Sequence, residues 1–415
     1  MVSQLATTLS INGDRLLRSL SDLAQIGGLP DGGVCRLAFS PADCQARALV
    51  QRWFAAAGLQ TRIDAAGNLI GRYPGRNEAA PCFATGSHID TVPAGGRYDG
   101  AYGLLAGLEV ARVLQEQQIY LTRPYEVIVF ADEESSMIGS KGMAGRTVND
   151  SAYYQRPDGT DIQTCLRRVG GDWDRLYQAR RAPGEIAAFV ELHVEQGPIL
   201  ESMHCQIGVV EGIVGQRRYA IAVEGSANHA GTTPMYLRRD ALVAAAEVVL
   251  AVNQIGNTPG QQVATVGQLQ VTPNAANVIP GQVEMSLDIR DLSGRHIDSL
   301  VEQLRHQLEE IAVKTDTRIR LHQRLHTEPA LAAPHIQQAI AQVCEAQQLR
   351  YTHLPSRASH DAQELANITA MGMIFVPSAG GLSHAEQEYT SPEDCVRGAN
   401  VLLQTLLQLD RHWPH

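Results

Sequence analysis

No run in this 415-residue chain supplies the ~18 uncharged apolar residues of a membrane-spanning helix, which argues against a helical bilayer protein. Positive charge is not in excess. The formal net charge is −10, so nucleic acid or another polyanion is an unfavourable partner. Cysteine is sparse: Cys35, Cys44, Cys82, Cys165, Cys205, Cys344 and Cys395 are scattered, odd in number and form no CxxC pair. This excludes a zinc knuckle and a dithiol redox motif, and leaves reduced, structural thiols as the expectation. The opening "MVSQLATTLSINGDRLL" lacks the basic stretch and apolar core of a signal peptide, so a cytoplasmic protein is expected. Internal repeats, low-complexity tracts and long charged runs are also missing. What is there is ordinary globular material, 44% apolar and 19% charged, in a chain longer than one hydrophobic core usually serves. Two domains are expected.

The periodicity of the first half alternates between helix and strand, which predicts an α/β domain. Helices are predicted over 40–57 and 101–118, and strands over 82–89, 125–132 and 187–194. Each of these strands runs into residues able to bind ligands. In open α/β sheets ligands collect at the carboxyl ends of strands, so three such ends suggest one site. From about residue 213 the pattern becomes self-contained: a strand at 216–225, a helix at 238–254, strands near 262–272 and 278–290, a helix near 295–314 and a strand at 317–324. This βαββαβ order is that of a ferredoxin-like sheet with two helices on one face. Afterwards the α/β pattern resumes, with a helix near 335–348, a strand at 371–378 and a helix at 392–408. The predicted domains are therefore a discontinuous catalytic domain, 1–212 with 326–415, and an inserted domain, 213–325.

Four stretches carry the chemistry. "GSHIDTVPAGGRYDG" (86–100) holds His88, Asp90 and Asp99 among glycines. If the strand reaches His88, then His88 and Asp90 share a face, and Asp90 can orient the imidazole of a metal-binding His88. "VIVFADEESS" places Asp132, Glu133 and Glu134 behind an apolar strand, where three acids repel one another unless a cation or solvent accommodates them. Neighbouring residues on a strand point apart, so one carboxylate can bind a metal while the other handles a proton. "FVELHVEQG" sets Glu191, His193 and Glu195 on one face, and "PSAGGLSHAEQEY" brings His384 after a strand and a small-residue loop. Alone, each stretch would also suit a solvated loop or a satisfied core histidine. Together His88, Asp99, Glu134, His193 and His384 form a mixed nitrogen and oxygen set suited to Zn²⁺ or Mn²⁺. If Asp99 bridges, each of two metal ions receives three protein ligands.

The order HxD, Asp-Gly, Glu-Glu, His and a late His resembles the aminoacylase and glutamate carboxypeptidase superfamily of di-metal hydrolases. Within it, "GSHIDTV", "GGRYDGAYGLLAGLEV", "ELHVEQGPILE", "GIVGQRRY", "NHAGTTPM" and "NVIPG" resemble the ureido-hydrolysing branch of N-carbamoyl-L-amino-acid hydrolase, allantoate amidohydrolase and β-ureidopropionase. The resemblance implies a di-metal aminopeptidase-like catalytic domain, interrupted by a lid that also forms a homodimer. It implies His88, Asp99 and His193 on one metal ion and Asp99, Glu134 and His384 on the other, with Glu133 as general base and a cis peptide after Asp99. It further implies that His229 reaches the partner's active site to polarise the scissile carbonyl. Asn277 and Arg290 would clamp the substrate carboxylate, and Gln196 and Gln216 would complete the pocket.

Two departures stand out. Where the branch usually carries three glutamates followed by Gly-Ser-Arg-Phe, this chain has Asp132, Glu133, Glu134, Ser135, Ser136 and Met137, and Arg357 and Ser359 replace the glycines of "SGAGHDA". The expected activity is hydrolysis of the ureido bond of a small carboxylate, first an N-carbamoyl-L-amino acid, releasing ammonia and CO₂, with allantoate as the alternative substrate. Aminoacylase or dipeptidase action and a non-catalytic metal-bound dimer are further readings. Two divalent ions per subunit are expected, Zn²⁺ or Mn²⁺, with Co²⁺ or Ni²⁺ also suited to the donors.

Overall fold

The computed structural model describes residues 9–156 and 158–413. The chain forms two compact units, one built from the segment up to Gly212 together with Leu331 onward, the other from Ile213–Ala330.

The first unit is organised by a nine-stranded sheet. Its path runs Gln60–Ile63, Leu69–Tyr73, Tyr125–Val129, Cys82–Ser87, Ile186–Val194, Ala370–Val376, Ile207–Ile213 and Ala330–Leu331, and Tyr351–Ser356 also pairs with Ile207–Ile213. The four central strands are mutually parallel. They are buried on both faces and read as nearly continuous apolar runs, the usual signature of a covered parallel sheet. All four therefore end at the same edge, which gathers the chain segments that follow Ser87, Val129, Val194 and Val376. Helix Ala101–Glu116 links the first two of these strands and is buried along most of its length. Its seat is set by Gly103: a Cβ there would lie 1.9 Å from the carbonyl oxygen of Leu192, so only glycine allows the helix this close to the central strand.

The strand predicted over 125–132 stops at Val129. Phe130 and Ala131 remain buried, but the backbone turns at Asp132, where φ is +61°. Similarly, strand pairing ends at Ser87, so His88 and Asp90 lie just past the strand. The helices predicted over 40–57 and 392–408 are observed as Pro41–Ala56 and Pro392–His412. Both begin with a serine side chain accepting the main-chain amide three residues ahead, followed by proline in the first turn.

The second unit carries strands in the order Leu269–Thr272, Gln282–Asp291, Gly215–Glu224 and Arg318–Thr327, all antiparallel, with Val263–Thr265 also on Gln282–Asp291. Alternation along the two central strands sends Tyr219, Ile221, Val223, Val283, Met285, Leu287 and Ile289 into one core with helices Ala241–Gly256 and Gly294–Thr315. The alternate residues Gln216, Arg218, Asp288 and Arg290 point to the opposite face. A short ribbon pairs Asn228–His229 with Val278–Ile279.

Candidate metal centre

The shared strand edge of the first unit brings the expected donors together. His88, Asp99 and His193 form one group with donor atoms within 4.8 Å of one another, and Asp99, Glu134 and His384 form a second. Asp99 belongs to both. Its Oδ1 lies 3.3 Å from His88 Nε2 and 3.2 Å from His193 Nε2, and its Oδ2 lies 3.4 Å from His384 Nε2. His384 Nε2 is also 3.4 Å from Glu134. His88, Asp99 and His193 are buried, whereas the His384 side chain is 50% exposed and marks the open side of the centre.

The donors suit a divalent cation in orientation as well as in kind. His88 Nδ1 and His193 Nδ1 each donate to a main-chain carbonyl, that of Asp90 and that of Val194, both at 2.9 Å. A carbonyl only accepts, so Nδ1 keeps its hydrogen and Nε2 is the atom each ring turns toward Asp99. Charge is consistent with this. Burial works to raise the Asp99 carboxyl, yet hydrogen bonds from His193, His384 and His88 outweigh it and hold the group well below its ordinary range. The His384 imidazole is raised to about 8, first by its hydrogen bond to Asp99. A divalent cation held by these donors would supply compensating positive charge for the acids.

Glu133 joins neither donor group. Its carboxylate lies 3.6 Å from His88 Nε2, and burial, reinforced by Asp361 and Glu134 against the pull of His88, lifts it well above the ordinary carboxylate range. The loop that carries it is held from outside: Asp132 accepts from the main-chain amide and hydroxyl of Ser136 and from the Arg156 guanidinium, and Lys141 Nζ donates to the Ser136 carbonyl. In this chain, these contacts hold the segment that departs from Gly-Ser-Arg-Phe.

Several expectations change in detail. The Asp90 carboxylate is 3.9 Å from His88 Nδ1, so the ring is oriented by the Asp90 main-chain carbonyl instead. The carboxylate itself accepts the Glu134 amide at 3.3 Å and so braces the acidic loop. Among the described residues the cis peptide is Thr272–Pro273, and the bond after Asp99 is trans; the turn there is taken by Gly100, with φ +63°. Glu195 does not face the centre, because it caps the next turn by accepting the amides of Ile199 and Leu200. Glu191 accepts from Ser87 and the Ala362 amide, and with His193 and His360 it makes a third group of donor atoms within 4.8 Å of one another.

Gln196 lies at the centre, its Nε2 2.9 Å from Asp99 Oδ2. Gln216, Asn277, Arg290 and His229 belong to the second unit. There Gln216 and Arg290 are cross-strand neighbours that both donate to Asp288, and Arg218 joins them. The Asn277 carbonyl accepts the Ala230 amide, tying it to the ribbon that carries His229. His229 is exposed, and its Nδ1 accepts the amides of Gly231 and Thr232 at 3.0 and 3.1 Å.

Three residues at the centre were not expected. His360 packs on His193 with ring centroids 4.5 Å apart, Ser383 donates to Asp99 Oδ2, and Glu388 accepts the amides of Tyr98 and Asp99. "ASHDA" and "AEQEY" have the composition of polar loops, and the only local signal was their nearness to Arg357 and to His384.

Residues 84–408 match the model of peptidase family M20/M25/M40. The chain is 41% identical over 406 residues to the N-carbamoyl-L-amino acid amidohydrolase of Geobacillus stearothermophilus, covering 96% of this chain and 99% of that one. It is 34% identical to the allantoate amidohydrolase of Bacillus subtilis, covering 93% and 95%. A crystal structure of an amidase of the hydantoinase/carbamoylase family from Burkholderia multivorans superposes with a TM-score of 0.89 at 39% identity, over 96% and 98% of the two chains.

Proposed function

The chain belongs to peptidase family M20/M25/M40, and on that premise we propose that it hydrolyses the ureido C–N bond of a small carboxylate, an N-carbamoyl-L-amino acid before any other. It is a metal-dependent hydrolase of carbon–nitrogen bonds other than peptide bonds. One observation carries the chemistry: a single buried carboxylate, Asp99, is shared by two three-donor groups, while Glu133 stands beside them as a member of neither.

In this reading His88, Asp99 and His193 hold one divalent cation and Asp99, Glu134 and His384 a second, Zn²⁺ or Mn²⁺ first, with Co²⁺ or Ni²⁺ compatible with the same donors. When bound, the cations supply Lewis acidity toward water and the ureido carbonyl. Glu133 takes a proton from the attacking water and passes it to the departing amide nitrogen, which leaves as ammonia. The remaining carbamate loses CO₂ and frees the amino acid. Burial of Glu133 raises its proton affinity above that of an ordinary carboxylate, which strengthens it as a base.

His229 of the partner subunit is assigned to the developing charge on the carbonyl oxygen. Because Nδ1 of His229 accepts two amides, its hydrogen sits on Nε2, which leaves an outward donor suited to an oxyanion. Arg290 and Asn277 are assigned to the substrate carboxylate, with Gln196 and Gln216 completing the pocket. Asp288 holds the Arg290 guanidinium in place.

We read the inserted unit as a ferredoxin-like lid and dimerisation domain, on its strand order and its two helices on one face. It also exposes Met235, Tyr236 and Leu237 at 74, 85 and 62%, apolar surface of the kind that a second chain covers. All seven thiols are free, which favours the cytoplasm.

The test is ammonia release by metal-reconstituted protein from N-carbamoyl-L-amino acids, allantoate, ureidoglycolate, 3-ureidopropionate and N-acetyl amino acids, with E133A as the blank. Turnover of N-carbamoyl-L-amino acids above the others is expected. Turnover confined to allantoate would move the assignment to the second relative, and no ammonia from any ureido compound would overturn it.

A further inference from the structure

Glu388 lies on the loop that carries His384, yet it serves the loop that carries Asp99. Its carboxylate is buried, at 4% exposure. Oε1 accepts the main-chain amides of Tyr98 and Asp99, both at 3.0 Å, and Oε2 accepts the Ser383 hydroxyl at 3.3 Å. The same hydroxyl lies 3.1 Å from Asp99 Oδ2. The fit extends to Gly96, where a Cβ would fall 2.1 Å from Glu388 Oε1, so the carboxylate lies flat against a stretch of backbone that has no side chain. One side chain therefore joins two loops 289 residues apart in sequence.

We infer that Glu388 is a positioning residue: by pinning the Asp99 backbone to the His384 loop, it sets the geometry, and hence the cation affinity, of the Asp99, Glu134 and His384 position. The inference rests on the two-cation reading proposed above. Asp99 and His384 come from irregular loops, which have no ladder of their own to hold them, and ligand placement within about 0.5 Å decides affinity. His384 is the donor most in need of such support, since it is half exposed and takes a positive φ of +53°. His88 and His193, by contrast, are seated by main-chain carbonyls at the ends of the central strands. Glu388 is not a ligand in this arrangement, because its Oε1 is turned to two main-chain amides and it belongs to neither donor group.

Calorimetric titration of the metal-free full chain with Zn²⁺ tests this. The wild type should take two equivalents, and E388A should weaken one of them by ~10–100-fold, as loss of a group supporting a ligand typically does. H384A should weaken that same equivalent, with little added loss in E388A/H384A, because both changes act on one position. E388Q retains an oxygen for the two amides and should stay within ~3-fold of wild type. Unchanged affinity in a folded E388A protein would overturn the inference, and so would equal weakening of both equivalents or E388Q falling as far as E388A. Should E388A fail to fold, E388D decides: it keeps the charge but draws the carboxylate back from the Tyr98 and Asp99 amides, and it must weaken the same equivalent or the inference is lost. Fewer than two equivalents in the wild type would sink the two-cation reading itself, a separate result seen on a different sample.

Discussion

Glu133 and Glu134 are chemically identical neighbours, and their surroundings separate them. Glu134 meets His384 at the centre, while Glu133 is buried outside both donor groups. Replacing Glu133 by Ala should lower kcat by ~10²–10⁴-fold, the usual contribution of a general base, with metal content unchanged. Steady-state ammonia release beside elemental analysis checks this, and loss of metal would show instead that Glu133 is a ligand. The five residues expected as donors stand out in the sequence because histidine and carboxylates are costly at the ends of apolar strands. Glu388 and His360 were not legible. Their local sequences are those of polar loops, and what distinguishes them is burial against segments far away in the chain.

At the scale of elements, the helix Ala101–Glu116 depends on contact with the sheet at Gly103. Gly103→Ala should destabilise the protein by about 1–3 kcal/mol through overpacking, read from the midpoint of chemical unfolding. A second prediction concerns pH. Glu126 sits in the central strand Tyr125–Val129 and is ion-paired with Arg181, Arg72 and Arg62. Burial works to raise its carboxyl, but the three guanidinium groups outweigh burial and hold it below the ordinary value. A carboxyl depressed on folding contributes stability that is present above its unfolded pKa and is lost as pH falls through the folded one. E126Q should therefore cost about 1–3 kcal/mol at neutral pH. The gap between wild type and variant should close as pH drops below the ordinary carboxylate range, and a gap that persisted in acid would assign the loss to packing. Helix and strand types followed from periodicity, with element ends displaced by a few residues. The 125–132 strand shows why: apolar residues continue to Ala131, but pairing needs a neighbouring strand, and the left-handed turn at Asp132 takes the chain away from it.

For the whole molecule, the assignment of His229 to a neighbouring active site makes a quantitative prediction. H229A and E133A should each be inactive, and subunit exchange between equal amounts should restore about a quarter of wild-type activity, because half of the dimers are mixed and each has one complete site. Verified exchange without recovery would place His229 in its own subunit's site or outside catalysis. Residue order alone carries the α/β class, the expectation of a self-contained insertion and the kinds of donor. Periodicity, turn chemistry and the cost of burying ionisable groups are all local properties that can be read along the chain. Folding in three dimensions is what places Asp99 in two donor groups, turns Nε2 of His88 and His193 toward it, makes Asp90 act through its carbonyl, and lets Glu388 join two distant loops. Each depends on how the parallel strands and the loops that follow them meet at one edge, and spacing in three dimensions is not written in residue spacing along the chain.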